Sequence, residues 1–200
     1  IGWCDWSSDV CSSDLMYRTV EAGGKARRTA VRIDSRKPPL VADLVAQELA
    51  AGRPTLLWTV YDEESTILAE LLAQRGVAFE LLTGKTKEID RLAILERFRH
   101  GQTNCLISRA CMLGFGMNFQ HCRAMVFSGF NDSYVAFYQA LRRAYRPGQT
   151  HSLRVHIPYI ELLEGDSWNT ILHKRDRNEQ DIADMEASYI EATAAMRQKG

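Results

Sequence analysis

Gln139-Ala140-Leu141-Arg142-Arg143-Ala144-Tyr145-Arg146-Pro147-Gly148-Gln149 is the stretch on which the reading of this chain turns. Taken as a helix, it carries Gln139, Arg143 and Arg146 on one face, at i, i+4 and i+7. Tyr134, Tyr138, Leu141 and Tyr145 then fall on the opposite side, toward a core. Two guanidiniums and an amide on one rigid face, ended by Pro-Gly, suit a polyanion such as a triphosphate. A solvated basic face on a surface helix has the same spacing, so the pattern alone leaves both readings open.

Upstream, the text alternates between short β-prone runs and helical periods. Leu56 to Tyr61, Ala78 to Leu82, Asn104 to Ser108 and Ala124 to Phe127 read as strands, and Ser152 to Ile157 as a fifth. Between them, Asp62 caps a helix with Ile67, Leu68, Leu71 and Leu72 inward, and Ile89, Leu92, Leu95 and Phe98 mark another. Asp132 or Ser133 caps the stretch quoted above. An earlier helix opens at Pro38-Pro39 and stops before Gly52. This order predicts βαβ units, hence an α/β fold with a parallel sheet and helices on both faces. Ligands of such sheets bind at the carboxyl ends of the strands. The loops at Thr83, Ser108 and Phe127 all follow strands and should gather on one edge.

The flanks read differently. Residues 1–15 hold a near-repeat, Ser7-Ser8-Asp9-Val10-Cys11 and Ser12-Ser13-Asp14-Leu15, without a trustworthy period. They resemble translated adapter sequence ahead of a truncated frame, with a disordered arm as the other reading. Residues 16–37 are basic and Gly-containing, and read as a linker with an extended piece at Ala30 to Ile33. The main domain then covers 38–160. Residues 161–200 form a helical tail, capped at Asp166, as two helices or as one with an exposed polar middle.

Composition narrows the classes. A chain of 200 residues with 46% hydrophobic and 25% charged residues is an ordinary globular one with enough chain for a sizeable core. Its formal net charge of +0 excludes bulk attraction to nucleic acid, but local charge is uneven. Arg142, Arg143, Arg146 and Arg154 lie in a window, Asp132 to Glu161, with no acid between its ends. No apolar run reaches membrane-span length and no secretory signal is evident, which points to the cytoplasm and to no membrane partner. Cys105, Cys111 and Cys122 sit among apolar residues and read as buried thiols. The His residues show no metal spacing, so no metal site is expected.

Isolated motifs decide little. Gly84-Lys85-Thr86 lacks the upstream Gly of a phosphate loop, whose position is Phe79. Lys85 and Thr86 can still serve a nucleic-acid backbone, or simply form a polar turn. Gly114-x-Gly116 lacks the third Gly of a dinucleotide fingerprint, although the turn could hold backbone close to a ligand with Asn118 as a polar handle.

In combination the motifs are specific. A strand, then Leu82-Thr83-Gly84-x-Thr86, with Arg91 and Phe98 in the next helix, resembles the second RecA-like lobe of superfamily 2 helicases. Leu106-Ile107-Ser108, Gly114-x-Gly116-x-Asn118-Phe119 and the opening stretch follow in the order of motifs IV, V and VI of the Swi/Snf-like branch, with a phage flavour. The resemblance covers about Ile33 to Tyr159. It implies a helicase C-terminal lobe in which Arg143 and Arg146 are arginine fingers and Gln139 lies beside the γ-phosphate. It further implies that Gly116 and Asn118 couple nucleotide to nucleic acid, and that Lys85, Thr86 and Ser108 touch the phosphate backbone. ATP and Mg2+ are the implied cofactors, bound mainly by a first lobe whose Walker motifs these residues do not include. DNA is the implied partner, and the motifs do not separate it from RNA. A non-catalytic lobe that binds nucleic acid or docks a partner is the second reading. Arg142 stands where the branch usually has Gly, Tyr145 where it has His, and Leu113 where it tends to have Gly.

Overall fold

The computed structural model describes residues 15–22, 25–32, 36–113, 117–129 and 133–197. Residues 1–14 lie outside them, as do Gly114 to Gly116. A hairpin comes first: β1 (Leu15–Ala22) pairs antiparallel with β2 (Lys25–Arg32). The region read as a linker with one short extended piece thus holds two paired strands, more extended chain than Ala30 to Ile33 alone.

The lobe follows as α1 (Lys37–Ala50), β3 (Thr55–Thr59), α2 (Asp62–Gln74), β4 (Glu80–Leu82), α3 (Glu88–Arg99) and β5 (Cys105–Arg109), then β6 (Ala124–Phe127), α4 (Tyr134–Leu141) and β7 (Arg154–His156). The sheet order is β4-β5-β3-β6-β7, and every pairing in it is parallel. The expected α/β, RecA-like architecture is present; β6 has the expected bounds, β5 is shifted by one residue, and β3, β4 and β7 are shorter than the runs that foretold them.

Parallel strands bury both faces, and the two-residue period divides the side chains between them. Leu57, Cys105, Ile107 and Val126 pack under α1 and α2, with Val41, Val45, Leu68 and Leu72. Leu56, Trp58, Leu106, Met125 and Phe127 face the other way, against Ile94, Leu95 and Phe98 of α3 and against Leu113, Phe119, Ala140 and Ala144. Two residues expected inside α3 are outside: Ile89 and Leu92 are exposed, and Ile94 takes the inward place. Leu40 of α1 is likewise exposed. Cys105 and Cys122 are buried as expected, but Cys111 is exposed in the short 3-10 turn after β5.

Helix α5 (Glu161–Arg197) is a single helix of 37 residues. It begins before Asp166, which is an exposed interior residue. Glu164 makes the start instead, taking the Ile160 N–H at 2.6 Å. The same carboxylate receives Lys37 Nζ at 2.5 and 2.7 Å, with side chains only 4% and 1% exposed. This pair ties the start of α1 to the start of α5. Trp168 lies 6.1 Å from Phe137 and 6.3 Å from Tyr159, and Ile171 is buried. Residues 173–188 are exposed.

A second buried carboxylate fixes the carboxyl edge of the central strands. Glu64 accepts the Ser128 hydroxyl at 2.6 Å and the Val60 N–H at 2.9 Å, joining α2 to the end of β6. Asp62 does not cap α2. It is the first helical residue and pairs with Arg109 at 3.1 Å. Burial raises the Glu64 carboxyl above its ordinary value; Ser128, the Val60 amide and the Lys37 charge pull the other way without cancelling it.

Two outcomes follow. Lys37→Met strands a buried carboxylate and is expected to cost about 3 kcal/mol or more in urea unfolding, much of it recovered in Lys37→Met/Glu164→Leu. For Glu64, the folded state holds a proton more tightly than the unfolded chain. Its contribution is full below the ordinary value of 4.5 and is lost as pH rises through the higher folded value. Glu64→Gln should therefore flatten the stability–pH curve above about pH 4.5; a slope like that of the wild type would contradict this.

Candidate functional site

Helix α4 is shorter than the sequence suggests. Ser133 Oγ caps it by accepting the Ala136 N–H at 3.3 Å, and it ends at Leu141. The following residues tighten into a turn, with Arg143 N–H on the Ala140 carbonyl and Ala144 N–H on the Leu141 carbonyl, both at 3.3 Å. Continued helix would send the Arg143 carbonyl to residue 147, which is a proline with no N–H to give. That carbonyl instead accepts the Phe119 N–H at 2.8 Å.

The early stop changes which side chains face inward. Tyr138 and Tyr145 are exposed, not core residues, and Ala140 and Ala144 are the buried positions. Phe137 packs on Phe127 with centroids 4.8 Å apart. Gln139 is exposed on the last turn of α4, and Arg143 and Arg146 lie beyond its end. The three do not share one helical face.

Arg143 and Arg146 are held by carbonyls of neighbouring turns. Arg143 Nη2 donates to the Leu113 carbonyl at 2.7 Å, and Arg146 Nε to the Arg142 carbonyl at 2.9 Å. Gln120 Nε2 donates to the Pro147 carbonyl at 2.7 Å, and Gln149 Nε2 to the Cys122 carbonyl at 3.1 Å. Gly148 turns the chain between these bonds at a φ of 90°, where a side chain would be strained. Leu113, Phe119, Gln120 and Cys122 of the connection from β5 to β6 are thus latched to the segment 143–149.

That connection is itself anchored. Phe119 is buried against Phe98, with ring centroids 5.6 Å apart, and His121 lies 4.9 Å from Phe98. Burial pushes the His121 imidazole below its ordinary value, partly countered by a hydrogen bond with the Phe98 backbone. Asn118 is exposed and closes a local turn: its Oδ1 accepts the Gln120 N–H at 3.1 Å and its Nδ2 donates to Gln120 Oε1 at 3.0 Å. Gly116 lies outside the described residues.

Arg143 is a half-buried cation close enough to Arg146 to feel its charge. Burial and then the charge of Arg146 lower its affinity for the proton below the ordinary value. A multiply charged anion beside both side chains would relieve the second effect. Arg142 lies between two rings, its guanidinium carbon 5.8 Å from the Tyr138 centroid and 5.9 Å from that of Tyr145.

The sheet topology puts the ends of β3, β4, β5 and β6 on one edge. There Thr83 to Thr86 form a turn, with Thr83 N–H on Thr86 Oγ1 at 3.0 Å and Arg91 Nε on the Thr86 carbonyl at 3.0 Å. A Cβ on Gly84 would come within 3.1 Å of Asp62 Oδ2, so the turn sits close against the Asp62–Arg109 pair. Lys85 is exposed and Thr86 half-buried. Ser108 departs from its expected place: it is fully buried in β5 and donates to the Arg109 carbonyl at 3.2 Å. Its strand is covered on both faces, so its hydroxyl is not on the edge.

Among the described residues no group of three His, Cys, Asp or Glu side chains is placed to hold a metal ion. None of the helices searched there is long and apolar enough to cross a membrane.

The sequence reading gave no role to the residues that build the latch. Gln120 lies just past the motif that ends at Phe119, and Gln149 closes the opening stretch without a role of its own; their partners are main-chain carbonyls, which leave no mark in a sequence.

A solved structure described as the C-terminal part of the Fun30 ATPase domain is similar, with a TM-score of 0.56 and 21% identity. The match covers 62% of this chain and 40% of that one, so this chain spans less than half of the solved chain's length. At that identity the likeness speaks for the fold. Residues 36–148, more than half of the chain, match the family described as "Helicase conserved C-terminal domain". The chain belongs to the helicase conserved C-terminal domain family.

Proposed function

We propose that this lobe is the second half of an ATP-dependent DNA helicase or translocase of the Swi/Snf-like branch, and that Arg143 and Arg146 act on the nucleotide phosphates across the cleft to a first RecA-like lobe. The observation that carries the reading is the half-buried Arg143, destabilised by Arg146 and fixed by the Leu113 carbonyl. Such a pair is preorganised for a polyanion, and bringing one between them removes a repulsion already present.

ATP supplies the transferable phosphoryl group. Arg143 and Arg146 would bind its phosphates and stabilise charge on the transferring group, and Gln139 would orient beside them. Mg2+ and the rest of the nucleotide would be held mainly by the first lobe. Movement of the 143–149 segment would pass through the latch to Asn118 and the adjoining Gly116. Lys85 and Thr86, at the sheet edge, would hold a nucleic-acid backbone; the burial of Ser108 leaves it a supporting role beneath them. Residues 16–37 would join the lobes and α5 would extend from the second one. The other reading, a stand-alone docking lobe, needs neither arginine.

In a protein that joins this lobe to a Walker-containing first lobe, Arg146→Ala should lower DNA-stimulated ATPase kcat by about 10³-fold or more while DNA affinity is kept. Arg143→Lys should lower it too, since an ammonium cannot reproduce the guanidinium fork. Unchanged ATPase in both would favour the docking reading. The purified 200-residue chain by itself should show negligible ATP hydrolysis in a phosphate-release assay with saturating DNA; clear turnover would overturn the assignment of the missing chemistry to another lobe.

A further inference from the structure

We propose that Tyr134, Tyr138, Arg142 and Tyr145 form a stacking platform for the bases of a single nucleic-acid strand, a contact separate from the arginines of the latch. The early end of α4 leaves the platform on the surface. Tyr138 is 44% and Tyr145 57% exposed, and Val135, three residues before Tyr138, is 62% exposed. Scattered apolar side chains on a surface are common, but rings bared together on one short helix and its turn form a patch with a use.

The groups touch in series. The Tyr134 and Tyr138 centroids are 5.8 Å apart, with their planes 31° from parallel. The Arg142 guanidinium carbon is 5.8 Å from the Tyr138 centroid and 5.9 Å from that of Tyr145. Planar groups thus recur at nearly even steps from the start of α4 to the turn beyond its end. The steps exceed the rise of about 3.4 Å between stacked bases but fall short of the two such rises that an inserted base needs. Bases therefore lie on the exposed sides of the rungs, splayed apart rather than stacked on one another.

Charge selects the occupant. Arg142 is part of the series, Arg143 and Arg146 follow it, and the chain has no acid between Asp132 and Glu161. At the other end, Glu179 and Arg175 of α5 bear on Tyr134, and Arg175 pairs with Asp176 and lies 4.0 Å from Glu179. The Tyr138–Tyr145 end is thus aromatic and cationic, the combination that takes bases on a phosphate backbone. An apolar protein surface laid there would bury the Arg142 charge without a counter-charge. A duplex keeps its base faces inside the stack, and a lone nucleotide would use one rung of the series.

This inference needs neither ATP nor a first lobe, so it is judged apart from the motor reading, which the ATPase of the two-lobe protein decides. The test is fluorescence anisotropy of the full 200-residue chain with a short labelled oligothymidylate, an abasic strand of the same length and a duplex. Tyr138→Ala and Tyr145→Ala should each weaken binding of the oligothymidylate by about fivefold or more, with the slope of log K against log salt unchanged. Tyr138→Phe keeps the ring and should bind like the wild type. Arg142→Gln should weaken binding and reduce that slope by about 0.7. The abasic strand should bind the wild type more weakly and be indifferent to loss of either tyrosine. Both tyrosines are exposed, so their replacement leaves the core intact. No binding by the wild-type chain, equal affinity for the abasic strand, tighter binding of the duplex, or unmoved affinity in the tyrosine variants would each overturn the proposal. Displacement of the strand by adenosine monophosphate as readily as by unlabelled oligothymidylate would overturn it in favour of a mononucleotide site. Loss confined to a parallel Lys85→Ala/Thr86→Ala variant would overturn the platform and leave the lobe's proposed backbone contact standing.

Discussion

A parallel sheet has no face to spare for water, so cover on both sides is the constraint from which this lobe is built. Helices α1 and α2 cover one face. On the other, α3 leaves part of the sheet to an irregular run of chain between β5 and β6. That run has to climb down the height of the sheet without a ladder of its own, and its backbone groups need partners. Phe98 and Phe119 hold it in place, and the segment after α4 supplies the partners. The candidate site is thus a by-product of roofing the sheet.

One proline sets the geometry. Pro147 withholds the N–H that would have continued the helix, and the Arg143 carbonyl turns to Phe119. A cation–aromatic cluster sits at the same place. The Arg142 guanidinium lies close to the ring centroids of both Tyr138 and Tyr145, at 5.8 and 5.9 Å. Exposed contacts of this kind are worth roughly 0.5–1 kcal/mol each.

The alternation of apolar runs and helical periods was enough to set the parallel sheet, because burial on both faces leaves continuous runs such as Leu56-Leu57-Trp58. The ends of elements were less legible. Strand length depends on the neighbour's register, and the end of α4 depends on where a carbonyl finds its donor. Asp166 looked like a cap because acids begin helices, whereas Glu164 does so from a buried pair whose partner lies 127 residues away. Ser108 has the right motif position but lies within a covered strand. Arg143 and Arg146 were legible as cations; what they lean on was not, since main-chain carbonyls look alike at every position.

The pair of Lys37 with Glu164 has a mechanical side. It joins the first turn of α1 to the first turn of α5. Helix α5 runs for 37 residues, roughly 55 Å of stiff rod. A tilt of about 5° at that joint would sweep the far end through roughly 5 Å, about the separation of two paired strands. Small shifts at the edge of the sheet would thereby become larger excursions far from it, with the buried ion pair and the Trp168 packing as the pivot.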